Sequence, residues 1–451
     1  MGDPRDVFKA YDIRGTVPDQ LDAELCRAIG AAFVRVTGAA RVLVVRDMRA
    51  SGVELAAAFI EGARAQGAAV TDLGMASTDF LYFASGRLEA PGAMFTASHN
   101  PAAYNGIKLC LAGAAPVGQD TGLREIEQLT TEFLAEPPAS VALGPLDRLD
   151  LLGEYVAHVH SFVDVGALRP LKVVADTANG MGGLIVPLVF ADLPFEVEIL
   201  YPELDGSFPN HPADPIAEEN LVDLKAAVLA RGADIGLAFD GDADRVFLVD
   251  ERAAPVSGSL TTALVAASLL EKHPGATILY NLICSHVVPE VIEEHGGLAV
   301  RTRVGHSFVK ARMAETGAVF GGEHSGHYYF RDNFRADSGI ITALVVLELL
   351  SRSGRPLSQL LVPFHRYANS GEINTVVSDP GLAVDAVARR VSGEASIDRL
   401  DGLTADFGEW WFNLRPSNTE PLLRLNVEAR TADECAHHVQ DVLDLVAECG
   451  P

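Results

Sequence analysis

The chain of 451 residues has no CxxC pair, and its five cysteines (Cys26, Cys110, Cys284, Cys435 and Cys449) are odd in number and widely spread. That usage excludes a disulfide framework and reads as reduced core or surface thiols of a cytoplasmic protein. Long apolar runs are also missing. The longest candidates, around Leu260–Leu270 and Ile340–Leu350, are interrupted by Thr, Ser or Glu, short of the roughly 18 residues of a membrane span. Met1–Lys9 carries charges and no apolar stretch, so no signal peptide is expected there. Basic residues are scarce, 35 Lys and Arg against 61 Asp and Glu, for a formal charge of −26. Nucleic-acid binding rests on cations meeting phosphates, so no such partner is expected, and no membrane partner either. No Walker A loop and no dinucleotide fingerprint opens a helix, and nothing asks for a nucleotide.

What is present describes a globular protein. The hydrophobic fraction is 48% and the charged fraction 21%, as in folded domains. The length exceeds one ordinary core and suggests about three or four domains. Periodicity alternates helices with short apolar strands to about Arg352: Leu21–Val36 reads as a helix, Arg41–Val45 as a strand and Gly52–Ala65 as the next helix. Such alternation implies mixed or parallel sheets covered on both faces. Three stretches vary one theme. A strand running into a polar loop occurs at Arg41–Arg49, Leu171–Gly180 and Ala276–Ser285, and a later strand running into a charged or hydroxylated loop at Ala93–Asn100, Ile235–Asp242 and Ala318–Ser325. Joins are expected in the Pro- and Gly-rich Glu136–Pro145, after Val246–Val249 and near Ser353–Phe364. Beyond them, short strands at Gly371–Val377, Trp410–Leu414 and Leu422–Val427 precede a helix at Ala432–Glu448, the texture of a small α+β domain.

Four loops carry the chemistry. Thr96-Ala97-Ser98-His99-Asn100-Pro101 follows a buried strand and is placed to present a hydroxyl, although Ser and Asn also favour plain turns. Lys108, shortly downstream, offers a cation or a proton. Asp240-Gly241-Asp242-Ala243-Asp244-Arg245 sets three carboxylates at alternate positions, which repel unless a cation lies between them. Oxygen ligands suit Mg²⁺, whereas an EF-hand reading fails because Arg245 stands where glycine is wanted. Gly322-Glu323-His324-Ser325-Gly326-His327 offers donors and acceptors for sugar hydroxyls. Zinc at His324 and His327 is poorly supported without further ligands. Arg415-Pro416-Ser417-Asn418-Thr419-Glu420-Pro421 combines a guanidinium fork with hydroxyls and an amide, apt for a phosphate. Phe8–Gly15 contributes Tyr11 and Arg14, and Gly305-His306-Ser307 opens a helix carrying Lys310.

Taken together these loops resemble the α-D-phosphohexomutase family, in its bacterial phosphomannomutase/phosphoglucomutase branch. TASHNP is similar to the phosphoserine loop, DGDADR to the metal loop, GEHSGH to the sugar-recognition loop and RPSNTEP to the phosphate-binding loop, in family order along the whole chain. The resemblance implies an α/β protein with three related mixed α/β domains plus a C-terminal α+β domain around a central cleft. Its domains would be residues 1–143, with the phosphoserine loop, 144–250, with the metal loop, 251–362, for sugar recognition, and 363–451, for phosphate binding. It implies a phosphorylated Ser98 that, with Asp240, Asp242 and Asp244, ligates one Mg²⁺ per chain. Arg245 would steady the phosphoryl group. Tyr11, His306, Glu323 and Ser325 would face the sugar, and Arg415, Ser417, Asn418 and Thr419 its resting phosphate. Arg14, His99, Lys108 and His327 are the candidates for general acid and base. Lys108 and His327 are favoured because a guanidinium stays protonated.

Hexose 1,6-bisphosphate is the implied intermediate and activator, and a monomer or weak dimer the expected state. Mannose phosphate is the expected substrate with glucose phosphate second. His324 departs from both the glucosamine-type GEQSGH and the common GEMSGH, so a phosphoglucosamine mutase stays as an alternative. Two rivals remain: a haloacid-dehalogenase-type phosphatase with Asp240 as nucleophile, and a sugar-phosphate sensor without turnover. The first leaves TASHNP and RPSNTEP unexplained, and retention of Ser98 with the acidic triplet argues against the second.

Overall fold

The computed structural model describes residues 3–139, 141–416 and 422–449. Local signals set its elements. The first long helix is Ala23–Thr37, starting two residues later than periodicity alone suggests, because Asp22 caps it by accepting the Leu25 N–H at 2.8 Å. It ends at Gly38, whose φ of 61° a side chain would resist. The next helix is Gly52–Ala65, as the pattern predicts.

The first three sheets share one topology. In the first, Arg41–Arg46 lies between Ala69–Met75 and Gly92–Phe95, parallel to both, and Tyr104–Cys110 returns antiparallel to Gly92–Phe95. In the second, Lys172–Asp176 lies between Glu196–Leu200 and Ile235–Phe239, and Val246–Asp250 returns. In the third, Thr277–Asn281 lies between Leu298–Thr302 and Phe320–Gly322, and Tyr328–Phe330 returns. The stretches noticed as one theme are these central strands and the hairpin strands beside them. The DGDADR and GEHSGH loops are the tight connections from Ile235–Phe239 to Val246–Asp250 and from Phe320–Gly322 to Tyr328–Phe330, and TASHNP occupies the same place between Gly92–Phe95 and Tyr104–Cys110.

The sheets also gain edges. Ile13–Thr16 pairs with Tyr104–Cys110, Leu146–Arg148 with Ala69–Met75, and Pro255–Val256 with Val246–Asp250. Leu146–Arg148 therefore belongs to the first sheet, although the expected boundary at 143/144 assigns it to the second domain. Residues 255–256 likewise extend the second sheet past 250.

The fourth sheet is antiparallel, in the order Ala368–Val376, Leu422–Ala429, Trp411–Pro416, Leu403–Asp406 and Ser396–Asp398. Helices Pro380–Val391 and Ala432–Cys449 pack on it. One apolar core runs from Leu43 through Phe80, Val186, Leu237 and Leu264 to Leu344 and so joins the first three sheets. The C-terminal sheet and helices close around a separate core that includes Val387, Phe412, Leu425 and Val442. Polar contacts link it to the third sheet's unit: His286 N–H donates to Glu428 at 2.9 Å, and Val304 N–H to Asp401 at 3.3 Å. Cys26, Cys110, Cys284 and Cys435 are buried free thiols. Among the described residues no helix is long and apolar enough to cross a membrane.

Candidate active site

Burial decides where the first loop begins. Ala93, Met94 and Phe95 are wholly enclosed, so the chain turns at Thr96, whose Oγ1 accepts the Ser98 N–H at 2.9 Å. Ser98 adopts a left-handed backbone, φ 49°, a conformation that costs energy outside glycine and collects at functional sites. Its Oγ donates to Asp240 Oδ2 at 2.7 Å and lies 3.3 Å from Arg245 Nη2. Asp240 is the first residue past the buried strand Ile235–Phe239. The turn after it closes through the Ala243 N–H to Asp240 O at 3.1 Å and the Arg245 N–H to Asp240 Oδ1 at 3.2 Å. The two loops meet backbone to backbone, since a Cβ on Gly241 would lie 2.5 Å from Ser98 O.

Asp240, Asp242 and Asp244 are buried, with one oxygen of each within 4.8 Å of the others. Two cations oppose three carboxylates. Lys108 Nζ donates to Asp242 Oδ2 at 2.7 Å and Asp244 Oδ2 at 2.6 Å, and Arg245 Nε to Asp240 Oδ2 at 2.9 Å. Thr78 Oγ1 adds a hydrogen bond to Asp242 at 2.5 Å. Burial pushes Asp240 up to about 7 against the pull of Arg245. Burial, with Asp242 beside it, also raises Asp244. Burial would raise Asp242 too, but Lys108 outweighs it and holds this carboxylate below the usual range. Conversely, burial would lower Lys108, yet Asp242 and Asp244 keep it well above the ordinary lysine value. Asp242 Oδ1 and Asp244 Oδ1 remain buried without a hydrogen-bond partner. Excess negative charge and orphaned hard oxygens fit a divalent cation of the Mg²⁺ kind.

His99 and His327 flank this centre in different states. Arg245 Nη2 donates to His99 Nδ1 at 2.6 Å, and burial followed by Arg245 and Arg14 pushes the ring down to about 2. It is neutral, with Nδ1 already engaged. Burial would also lower His327, but Asp244 and Asp337 outweigh it and raise its pKa. His327 Nδ1 donates to Asp337 Oδ2 at 2.8 Å, which leaves Nε2 to exchange a proton. His327 also pairs with Arg245 as a β-bridge, joining the second and third loops. Arg14 pairs with Asp12 and donates to Asn100 Oδ1 at 2.6 Å.

Glu323 is buried, and both its oxygens are held: Oε1 accepts from Asn281 at 3.2 Å and the Gly305 N–H at 3.0 Å, and Oε2 from Tyr329 at 2.6 Å. Ser325 is half-buried in the same loop. His324 turns instead to Ser259, 3.0 Å from its Nδ1, so among the described residues it is not gathered with His327 as a metal pair. Tyr11 packs edge-on against His306, centroids 4.9 Å apart, and both ring nitrogens of His306 are buried without a hydrogen-bond partner. Burial and then Asp12 raise the Tyr11 hydroxyl, while Arg14 and Arg415 oppose them, which places Arg415 within electrostatic reach of the first unit. Arg415 is buried, donates to Glu372 at 2.7 Å and leaves Nε unpartnered. Ser417, Asn418 and Thr419 lie outside the described residues.

Four family models match in order: the phosphoglucomutase/phosphomannomutase alpha/beta/alpha domains I, II and III at residues 5–135, 153–254 and 257–367, and the C-terminal domain at 372–445. The chain belongs to the phosphoglucomutase/phosphomannomutase family. Proteins named phosphohexose mutases from Xanthomonas campestris pv. campestris are 42% identical over 430 residues, covering 94% of this chain and 95% of theirs. A phosphomannomutase/phosphoglucomutase of Pseudomonas aeruginosa is 39% identical over 440 residues, 96% of this chain and 93% of that one. The crystal structure of a family protein from Burkholderia thailandensis superposes with a TM-score of 0.89 at 33% identity, covering 99% of this chain and 97% of that chain.

In this family member the fold adds residues that motif reading passed over. Thr78 touches the acidic turn from a distant segment, Asp337 holds His327 from ten residues further on, and Glu372 occupies Arg415. Arg49 gathers the loop around Ser98. No local signal marks Thr78 or Asp337, whereas Arg49 stands in the polar loop after the first central strand.

Proposed function

We propose that this phosphohexomutase, an isomerase, interconverts hexose 6-phosphate and hexose 1-phosphate through a phosphoserine at Ser98. Mannose phosphate is the favoured substrate and glucose phosphate the second. The observation that carries the reading is Ser98 Oγ at 2.7 Å from Asp240 Oδ2, beside Arg245 and the acidic turn. Asp240, the nucleophile in a phosphatase reading, is instead occupied as an acceptor from Ser98 and Arg245.

Transfer begins with phosphorylated Ser98. A sugar hydroxyl attacks its phosphorus, and the hydroxyl proton passes to His327 Nε2. The P–Oγ bond breaks so that Ser98 Oγ leaves with the electron pair, its charge met by Arg245 Nη2 at 3.3 Å. The product is hexose 1,6-bisphosphate, the intermediate and activator, which turns so that its other phosphate returns to Ser98. On return Ser98 Oγ attacks that phosphate, and His327 hands the proton to the sugar oxygen that leaves. Arg245 meets the charge on the phosphoryl oxygens, an electrostatic task that dominates such reactions. Lys108, held cationic, serves as charge more than as base. Asp240, Asp242, Asp244 and Ser98 would hold Mg²⁺, one per chain, which when bound neutralises phosphoryl oxygens. Tyr11, His306, Glu323 and Ser325 shape the sugar site, and Arg415 with Ser417, Asn418 and Thr419 takes the phosphate that is not reacting. Arg14 and His99 brace the Ser98 loop. The protein works in the cytoplasm as a monomer or weak dimer.

The test is to incubate the chain with glucose 1,6-bisphosphate and map the phosphoryl group by peptide mass. It is expected on Ser98, and Ser98→Ala should lower turnover at least about 10³-fold by removing the covalent route. A group found on Asp240, or near-normal turnover without the hydroxyl, refutes the assignment. Parallel assays with mannose, glucose and glucosamine 1-phosphates set the preference.

A further inference from the structure

Arg49 is enclosed, with 1% of its surface exposed, and all its terminal donors go to one loop. Nη2 donates to Ser98 O at 2.9 Å and Asn100 O at 2.6 Å, and Nη1 to Pro101 O and Tyr104 O, both at 2.9 Å. Four carbonyls thus converge on one planar fork. Its counter-charge is Asp47, 3.3 Å from Nε, whose Oδ1 also accepts the Arg49 N–H at 2.8 Å. The carbonyl of Ser98 points to Arg49 while its Oγ reaches Asp240, in the left-handed backbone that a free loop would leave. The second unit closes over the other side. Phe208 lies 5.1 Å from the guanidinium carbon, and a Cβ on Gly206 would lie 2.8 Å from Arg49 Cα.

We infer that Arg49 is a positioning residue for phosphoryl transfer: it clamps the Ser98 loop by its carbonyls so that Oγ faces Asp240 and Arg245. The inference rests on the phosphoserine reading above. Arg49 touches neither substrate nor the reacting atoms, and it works through the geometry of Ser98. Only a guanidinium meets the four acceptors, because a lysine ammonium offers three donors from a single point. Phe208 makes the clamp sensitive to the seating of the second unit on the first.

The experiment compares wild type, Arg49→Lys and Phe208→Leu, each loaded with glucose 1,6-bisphosphate, by single-turnover transfer from phosphoserine to glucose 1-phosphate. Arg49→Lys is expected to transfer about 100-fold more slowly, the scale of an ångström-sized misplacement, with KM within about threefold. Guanidinium ion added to Arg49→Ala should restore part of the rate, and methylammonium should not. Phe208→Leu, which keeps the arginine, should lose less than Arg49→Lys. If the lysine variant transfers at the wild-type rate, or if only KM rises, the clamp is wrong. Wild-type protein that never carries phosphate on Ser98 overturns the underlying reading instead.

Discussion

Gly241→Ala tests the meeting of the first two loops with the smallest possible change. Gly241 is not among the glycines with positive φ, so alanine brings a contact problem and no backbone penalty. Its methyl would lie 2.5 Å from Ser98 O, where ordinary contact begins at 3.4 Å, so the loops must part by about 0.9 Å. The turn cannot simply retreat, because the Met181 N–H holds Gly241 O at 2.8 Å and the Cβ position of Gly180 lies 2.7 Å from the same oxygen. Separation therefore falls between Ser98 Oγ and the Asp240 carboxylate. A misplacement of about 1 Å between reacting groups costs up to about 10²-fold in rate, or about 2.7 kcal/mol of barrier. We expect kcat to fall about 30- to 100-fold with KM within about threefold. The assay couples glucose 6-phosphate formation to a dehydrogenase, with a thermal melt to confirm the fold. A folded variant whose kcat stays within about threefold of wild type would show that loop contact does not set the geometry of transfer.

Lys108→Met strips the shared cation from Asp242 and Asp244, and a buried charge left unpaired costs about 3–5 kcal/mol. Urea melts should show that loss without metal and recover it in excess Mg²⁺. An equal loss in both conditions would mean that lysine and ion do not serve the same carboxylates. Arg415→Ala should weaken hexose phosphate binding by about 1.5–3 kcal/mol, the scale of a charged hydrogen bond. Calorimetry returning an unchanged affinity would remove Arg415 from the phosphate site.

The four motifs were legible because each concentrates one chemistry, a hydroxyl, alternating acids, a Glu with histidines or an Arg with hydroxyls, and the first three follow buried strands. The threefold theme was legible for a related reason, since central parallel strands demand the same apolar run ending in a polar turn. Tertiary partners were not. Thr78 reaches Asp242 across 164 residues and Lys108 across 134, and no periodicity encodes such a meeting. Edge strands escaped as well. Leu146–Arg148 is exposed along its length, so it carries no alternation, and its place in the first sheet comes only from pairing with Ala69–Met75. The helix expected at Leu21–Val36 begins at Ala23 because a cap, rather than hydrophobicity, decides the first turn. His324 stood beside His327 as a conceivable zinc pair, yet its Nδ1 lies 3.0 Å from Ser259 Oγ inside the protein.

The C-terminal unit keeps its apolar interior to itself and meets its neighbour through hydrogen bonds, ion pairs and the stacked rings of His286 and Trp411. Swinging it outward would wet polar atoms that water can serve equally well, while the oily centre stays dry. Heating should therefore register two calorimetric events, a smaller one for the last eighty or so residues and a larger one in which the other three sheets melt as a single body.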